Sequence, residues 1–140
     1  MQCLILAGGL GTRMQAQDPH VPKAMLPVAG RPFVHWQLSW LAGQGADGAV
    51  LSIGHLGGQI RDFVRDGAAW HLPVTYVEEG DDLRGTGGAV RLAVDEGALS
   101  DSFFVLYGDS YLQLALRDVQ TAFEAAGLPA LMTVYENDGR

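Results

Sequence analysis

Apolar residues fall along this chain in two rhythms. Short, mostly apolar runs occur at 2–7, 49–53, 74–77, 103–107 and 130–135, with Phe103-Phe104-Val105-Leu106 as the clearest case. Runs of this length predict strands buried on both faces of a parallel sheet. Between them, apolar positions recur at helical spacing. The stretch 32–44 opens on Pro32, carries apolar residues at 33, 34, 36, 38, 40 and 41, and has Gly45 beyond its end. That is a helix with its start and stop signals in place. The stretch 56–65 sets Leu56, Ile60, Phe63 and Val64 on one stripe. A short helix is predicted over 88–94, and another over 116–126, ending at Gly127 with Pro129 after it. Strands alternating with helices predict an open α/β sheet with right-handed crossovers. No repeat or linker divides residues 1–140, so one domain is expected.

In such sheets ligands sit beyond the carboxyl ends of the strands. Three loops at that edge stand out. The first follows strand one, the second covers 78–88, and the third is Gly108-Asp109-Ser110. They are the stretches richest in glycine and charge, and the topology brings them to one edge.

The first loop reads Leu6-Ala7-Gly8-Gly9-Leu10-Gly11-Thr12-Arg13, with Pro22-Lys23 downstream. Glycines let backbone N–H groups approach phosphate oxygens without a Cβ in the way. Arg13 can fork across two oxygens, and Lys23 can act as a point charge. A Walker loop is excluded, because no Lys directly follows these glycines. A dinucleotide fingerprint is excluded too, because Met14 stands at its third glycine position. Gly-Gly-x-Gly-Thr-Arg followed by Pro-Lys fits fully. It resembles the signature of the sugar-phosphate nucleotidyltransferases, which make nucleotide sugars. The next segment, Ala24-Met25-Leu26-Pro27-Val28-Ala29-Gly30-Arg31-Pro32, looks like that family's continuation.

Asp109 stands at the tip of a predicted buried strand, where a carboxylate is rigidly placed and suits Mg²⁺. A turn aspartate is the plainer alternative. The family carries its metal-binding aspartate at this position, so the resemblance gives Asp109 that role. The family's second aspartate comes later, beyond Arg140, and Asp138 stands too early for it. Leu83-Arg84-Gly85-Thr86-Gly87-Gly88-Ala89 resembles the family segment that contacts the base, although many relatives have an apolar residue where Arg84 stands. Glycines opening a helix leave unpaired amides that a flat base can reach. Glu78 or Glu79 could accept hydrogen bonds from guanine, which presents two donors where uracil presents one. Of the two, Glu79 is assigned to the nucleotide.

Tyr111 is a candidate for the sugar pocket. Other conspicuous residues have plainer readings. His55 suits a helix start, and His20 and His35 carry no chemical signal. Trp36 and Trp40 suit a core stripe, Trp70 suits loop packing, and Arg61, Asp62, Arg65 and Asp66 suit a solvated helical face.

At 48% apolar residues and a mean hydropathy of +0.10, the chain can bury a core. Its single cysteine, Cys3, cannot form an internal disulfide and suits a small buried strand position. There is no signal-peptide pattern and no run of about 18 apolar residues, so neither secretion nor a membrane span is expected and the cytoplasm is. The net charge of −7 argues against nucleic acid as a partner.

The resemblance implies a Rossmann-like, GT-A-like fold, truncated at its carboxyl end. It implies joining of an NTP to a sugar 1-phosphate with release of pyrophosphate. Leu6, Ala7, Gly8, Gly9, Gly11 and Thr12 would hold the nucleotide with Glu79, Gly85, Thr86 and Gly87. Arg13, Lys23 and Asp109 would be catalytic, with Mg²⁺ on Asp109. The motifs look most like those of bacterial heptose or mannose 1-phosphate guanylyltransferases, which favours GTP. Uridylyltransferases of amino-sugar phosphates are near neighbours. A silent nucleotide-sugar-binding domain and a nucleotidyltransferase acting on a cofactor precursor are the alternatives, and a homo-oligomer is allowed.

Overall fold

The computed structural model describes residues 1–9, 20–80, 84–134 and 136. Four parallel strands form the sheet: β1 (Gln2–Leu6), β4 (Ala49–Ile53), β5 (Val74–Glu78) and β6 (Phe103–Tyr107), in the order β5-β4-β1-β6. A two-strand ribbon, β2 (Pro27–Val28) with β3 (Arg31–Pro32), precedes the first helix. The helices are α1 (Phe33–Gly43), α2 (Gly57–Val64), α3 (Gly85–Asp95) and α4 (Leu116–Ala126), with 3-10 turns at Lys23–Met25 and Ala68–Trp70.

The strand side chains alternate between two apolar layers, as the pleat requires. Cys3, Ile5, Leu51, Val74 and Leu106 pack with Val34, Leu38 and Leu41 of α1, Ile60 and Val64 of α2, and Leu116 of α4. Leu4, Val50 and Val77 pack on the other face with Ala93 of α3. Helices thus cover both faces, and β1 lies inside the sheet, paired with β4 and β6. That central position explains why 2–7 is apolar without alternation.

The four main strands and the helix over 116–126 lie where the apolar runs place them, and Gly127 takes the left-handed φ of 60° that ends α4. Three elements differ. No strand forms at 130–134: Met132 and Val134 are exposed, and β6 has no described neighbour on its outer edge. Apolar character permits a strand, but only pairing makes one. The helix expected over 88–94 begins three residues earlier, at Gly85, because its glycines lie inside the first turn. Leu56 sits at φ 61° before α2 and not in it.

The tryptophans divide. Trp40 packs on the core, whereas Trp36 is partly exposed and its Nε1–H donates to the Val28 carbonyl at 2.8 Å, tying α1 to the ribbon. Among the described residues no helix is long and apolar enough to cross a membrane.

Candidate active site

A cavity of about 420 Å³ opens at the carboxyl ends of the strands. Its walls include Leu6, Ala7, Gly8 and Gly9 after β1, Lys23 and Ala24, Glu79 after β5, Gly85, Thr86 and Ala89 of α3, and Tyr107, Gly108 and Asp109 after β6. Most sequence-predicted site residues therefore meet in one place. Gly87 and Tyr111 are not among the walls. Gly87 is exposed on α3, and Tyr111 is half exposed with its ring 6.2 Å from that of Trp40. Gly11, Thr12 and Arg13 lie outside the described residues, as do Leu83 and Asp138.

The loops close on one another too tightly for side chains at two points. A Cβ on Gly8 would stand 2.1 Å from Glu79 Oε1. A Cβ on Gly108 would stand 2.6 Å from the Leu6 carbonyl, which already accepts the Gly108 N–H at 2.9 Å. Backbone contact requires glycine at 108, and at 8 a side chain would have to displace the Glu79 carboxylate.

Lys23 begins its 3-10 turn with Ala24 buried behind it, which directs the chain against the core. Its Nζ donates to Asp109 Oδ2 at 3.2 Å. Both side chains keep solvent access, so both can turn to a ligand. The helix α3 begins at the cavity with no acidic residue in its first turn and, among the described residues, no side-chain cap. The first amides of a helix have no partner within it and suit an anion or a base edge.

Glu79 is distinguished from Glu78 by the structure. Glu78 is exposed and pairs with Arg61, whose guanidinium also lies 4.6 Å over the Tyr76 ring. That charged face of α2 is thus partly engaged with β5 rather than only solvated. Glu79 is 8% exposed and accepts the Ser52 hydroxyl at 2.8 Å. Its backbone N–H donates to the Ile53 carbonyl at 2.8 Å, continuing the β4–β5 ladder by one residue. One carboxylate oxygen is thereby held by the protein.

Two polar residues that the sequence did not single out support the site. One is Ser52, buried at the end of β4. The other is Gln37, fully buried on the same face of α1 as Val34, Leu38 and Leu41. Gln37 Nε2 donates to the carbonyls of Tyr107 and Ser110, each at 2.9 Å. These carbonyls bracket Gly108-Asp109. Gln37 Oε1 has no hydrogen-bond partner among the described residues. An orphaned buried acceptor costs about 1–3 kcal/mol, which the two donated bonds offset. The available signal in the sequence was a polar residue on an otherwise apolar helical or strand face.

The weaker candidates lie elsewhere. His55 is exposed in the turn before α2 and is absent from the cavity walls. His35 rests against Trp36 and Trp70, with ring centroids 5.3 and 5.6 Å away, and burial and then Arg31 lower its pKa. Cys3 is buried inside β1, and burial pushes its thiol up to about 12, so it is no nucleophile near neutrality. Among the described residues no group of three or more His, Cys, Asp or Glu could hold a metal ion.

A parallel sheet with glycine loops, a lysine and an aspartate at one edge narrows the comparison with known proteins. The family profile described as "MobA-like NTP transferase domain" matches residues 3–140. The chain belongs to the MobA-like NTP transferase domain family. This bears out the resemblance carried by the glycine loop. The chain is 33% identical over 125 residues to a D-glycero-alpha-D-manno-heptose 1-phosphate guanylyltransferase of Aneurinibacillus thermoaerophilus, covering 89% of this chain and 51% of that one. It is 32% identical over 136 residues to an N-acetylmuramate alpha-1-phosphate uridylyltransferase of Neisseria meningitidis, covering 96% and 57%. The solved structure of HddC from Yersinia pseudotuberculosis complexed with GMP-PN superposes with a TM-score of 0.77 at 30% identity, covering 87% of this chain and 53% of that one. The MobA-like chain therefore spans about half the length of these relatives.

Proposed function

We propose that this chain carries the nucleotide-binding half of a sugar-1-phosphate nucleotidyltransferase, with GTP as donor and a heptose or mannose 1-phosphate as acceptor. The observation that carries this reading is the gathering of Gly8, Gly9, Lys23, Glu79 and Asp109 into one cavity at the sheet's carboxyl edge. The guanylyltransferase relative and the GMP-PN complex of HddC support the choice of base.

The sugar phosphate oxygen attacks the α-phosphorus and forms a P–O bond as the bond to the departing pyrophosphate breaks. Negative charge gathers on the phosphoryl oxygens, and no covalent bond to the protein is needed. Catalysis is then positioning and charge stabilisation. The amides of Gly8 and Gly9 meet the phosphates, with those of Gly11 and Thr12. Arg13 neutralises the pyrophosphate. Lys23 leaves Asp109 and spans the α-phosphate and the incoming phosphate. The carboxylate of Glu79, with one oxygen occupied by Ser52, offers the other to the two donors of guanine.

The residues suit a hard cation that keeps waters and phosphate oxygens as ligands. Asp109 offers a half-exposed carboxylate at the cavity wall, and no competing protein cage surrounds it among the described residues. Mg²⁺ held there would offset charge on the phosphates.

The test is pyrophosphate release from GTP, UTP and dTTP, each offered with heptose, mannose and amino-sugar 1-phosphates. Release from GTP with a heptose or mannose phosphate is expected. Release only with UTP and an amino-sugar phosphate would replace the substrates and keep the chemistry. Nucleotide binding with no release from any pair would leave a silent binding domain.

A further inference from the structure

We propose that Gln37 is a positioning residue that sets the place of the Asp109 carboxylate for its metal and phosphate partners. The inference rests on the function proposed above for Asp109 and names a residue outside the cavity walls. Gln37 is wholly buried on α1, yet its Nε2 reaches 70 and 73 positions along the chain to the Tyr107 and Ser110 carbonyls. Those two carbonyls flank Gly108-Asp109 on either side. The Tyr107 carbonyl also accepts the Ser110 N–H at 3.1 Å, closing the turn that carries Asp109. The Gly108 N–H is fixed to Leu6, so the turn is tied to β1 from one side and to α1 from the other.

A purely structural glutamine would be poorly spent here, since its Oε1 stays without a partner among the described residues. An apolar residue of the same length fills the volume but donates to neither carbonyl, leaving the Tyr107 carbonyl with only the Ser110 N–H. The Asp109 carboxylate is itself half exposed and bonded, among the described residues, only to the Lys23 ammonium. Its position is therefore set through its backbone, and the carboxamide of Gln37 is the side chain that holds that backbone.

The test compares the parent chain with Gln37→Met, which keeps length and apolar packing, and Gln37→Asn, which keeps the carboxamide but falls one methylene short. Two readouts are taken. Amide hydrogen exchange is followed at Ser110, inside the turn, and at Ala7, whose N–H is bonded to the Ser52 carbonyl on the same rim. The Mg²⁺ midpoint of the thermal stabilisation by GTP is measured in parallel. Gln37→Met is expected to speed exchange at Ser110 while Ala7 keeps its protection, and to raise the Mg²⁺ midpoint about tenfold, the lower end of losses from removing an outer partner of a ligand. Gln37→Asn should fall between parent and Gln37→Met, and it supplies the answer if Gln37→Met does not fold. A Mg²⁺ midpoint unchanged in a folded variant whose Ser110 amide has been freed overturns the positioning role alone. A parent chain whose stabilisation by GTP does not respond to Mg²⁺ overturns the proposed function and this inference with it.

Discussion

Lys23 and Asp109, 86 positions apart in sequence, meet at 3.2 Å in the wall of the cavity. The pair joins the segment after the glycine loop to the turn after β6. Because both side chains are partly exposed, the contact contributes only about 0–1 kcal/mol after solvent screening. It holds the two charges ready without locking them. Phosphate oxygens and a metal ion can take over both partners at little cost.

Replacing Lys23 with Ala should therefore leave the fold intact. The melting free energy should change by less than about 1 kcal/mol. Turnover should fall on the order of 10²–10³-fold, the typical loss for one donor aimed at developing charge. Pyrophosphate release measured beside a thermal melt checks both. Turnover equal to the parent's would remove Lys23 from the mechanism.

Ser52→Ala tests the reading of Glu79. The buried carboxylate would lose the hydroxyl that occupies Oε1. A lost bond to a buried charged acceptor costs about 1–3 kcal/mol of stability. The proposed preference for GTP over UTP should narrow, since the carboxylate is no longer held at one angle. Dissociation constants for the two nucleotides, measured calorimetrically, give the ratio. An unchanged ratio would mean that the base is read elsewhere.

Gly8→Ala places a methyl group 2.1 Å from Glu79 Oε1. The flexible end of Glu79 must move, or the loop must. Overpacking of this kind costs about 1–3 kcal/mol. Nucleotide affinity should drop more than stability does, because the displaced groups are the ones proposed to touch the ligand. Gly9→Ala is the comparison for stability, since a Cβ there meets nothing within 4 Å among the described residues. Equal losses of stability from the two substitutions would contradict the close approach.

Cys3 should resist iodoacetamide at pH 8 in the native chain and react once urea unfolds it. Its folded pKa of about 12 lies above the ordinary thiol value of 9.0. The stability linked to this group is therefore complete below pH 9 and drains away as pH rises from 9 towards 12. Comparing urea midpoints of the parent and Cys3→Ala across that range isolates the contribution. A gap that does not narrow would show that the thiol ionises as easily folded as unfolded.

The sequence was most legible where chemistry and topology share one signal. The glycine loop and Asp109 could be brought together from their places at strand ends, because a parallel sheet sends all such ends to one edge, and Lys23 came with the loop's motif. The apolar run after Pro129 misled, since burial pattern says what a strand could be and pairing with a neighbour says whether it is one. Gln37 and Ser52 were missed for the opposite reason. Each is a single polar residue in an apolar face, and its partners are backbone carbonyls and a carboxylate tens of residues away. Glu78 and Glu79 could not be separated until the alternation of β5 sent one outwards to Arg61 and the turn after the strand folded the other inwards to Ser52.

The most direct measurement is a thermal-shift titration with GTP, UTP, dTTP, CTP and ATP, each with and without Mg²⁺, on the parent chain and on Asp109→Asn. A ligand at about 100 times its dissociation constant stabilises by about 2.7 kcal/mol, a shift of several degrees. GTP should give that shift in the parent, Mg²⁺ should enlarge it, and Asp109→Asn should lose the Mg²⁺ increment. No shift with any nucleotide, or a shift indifferent to both Mg²⁺ and Asp109, would contradict the proposed site.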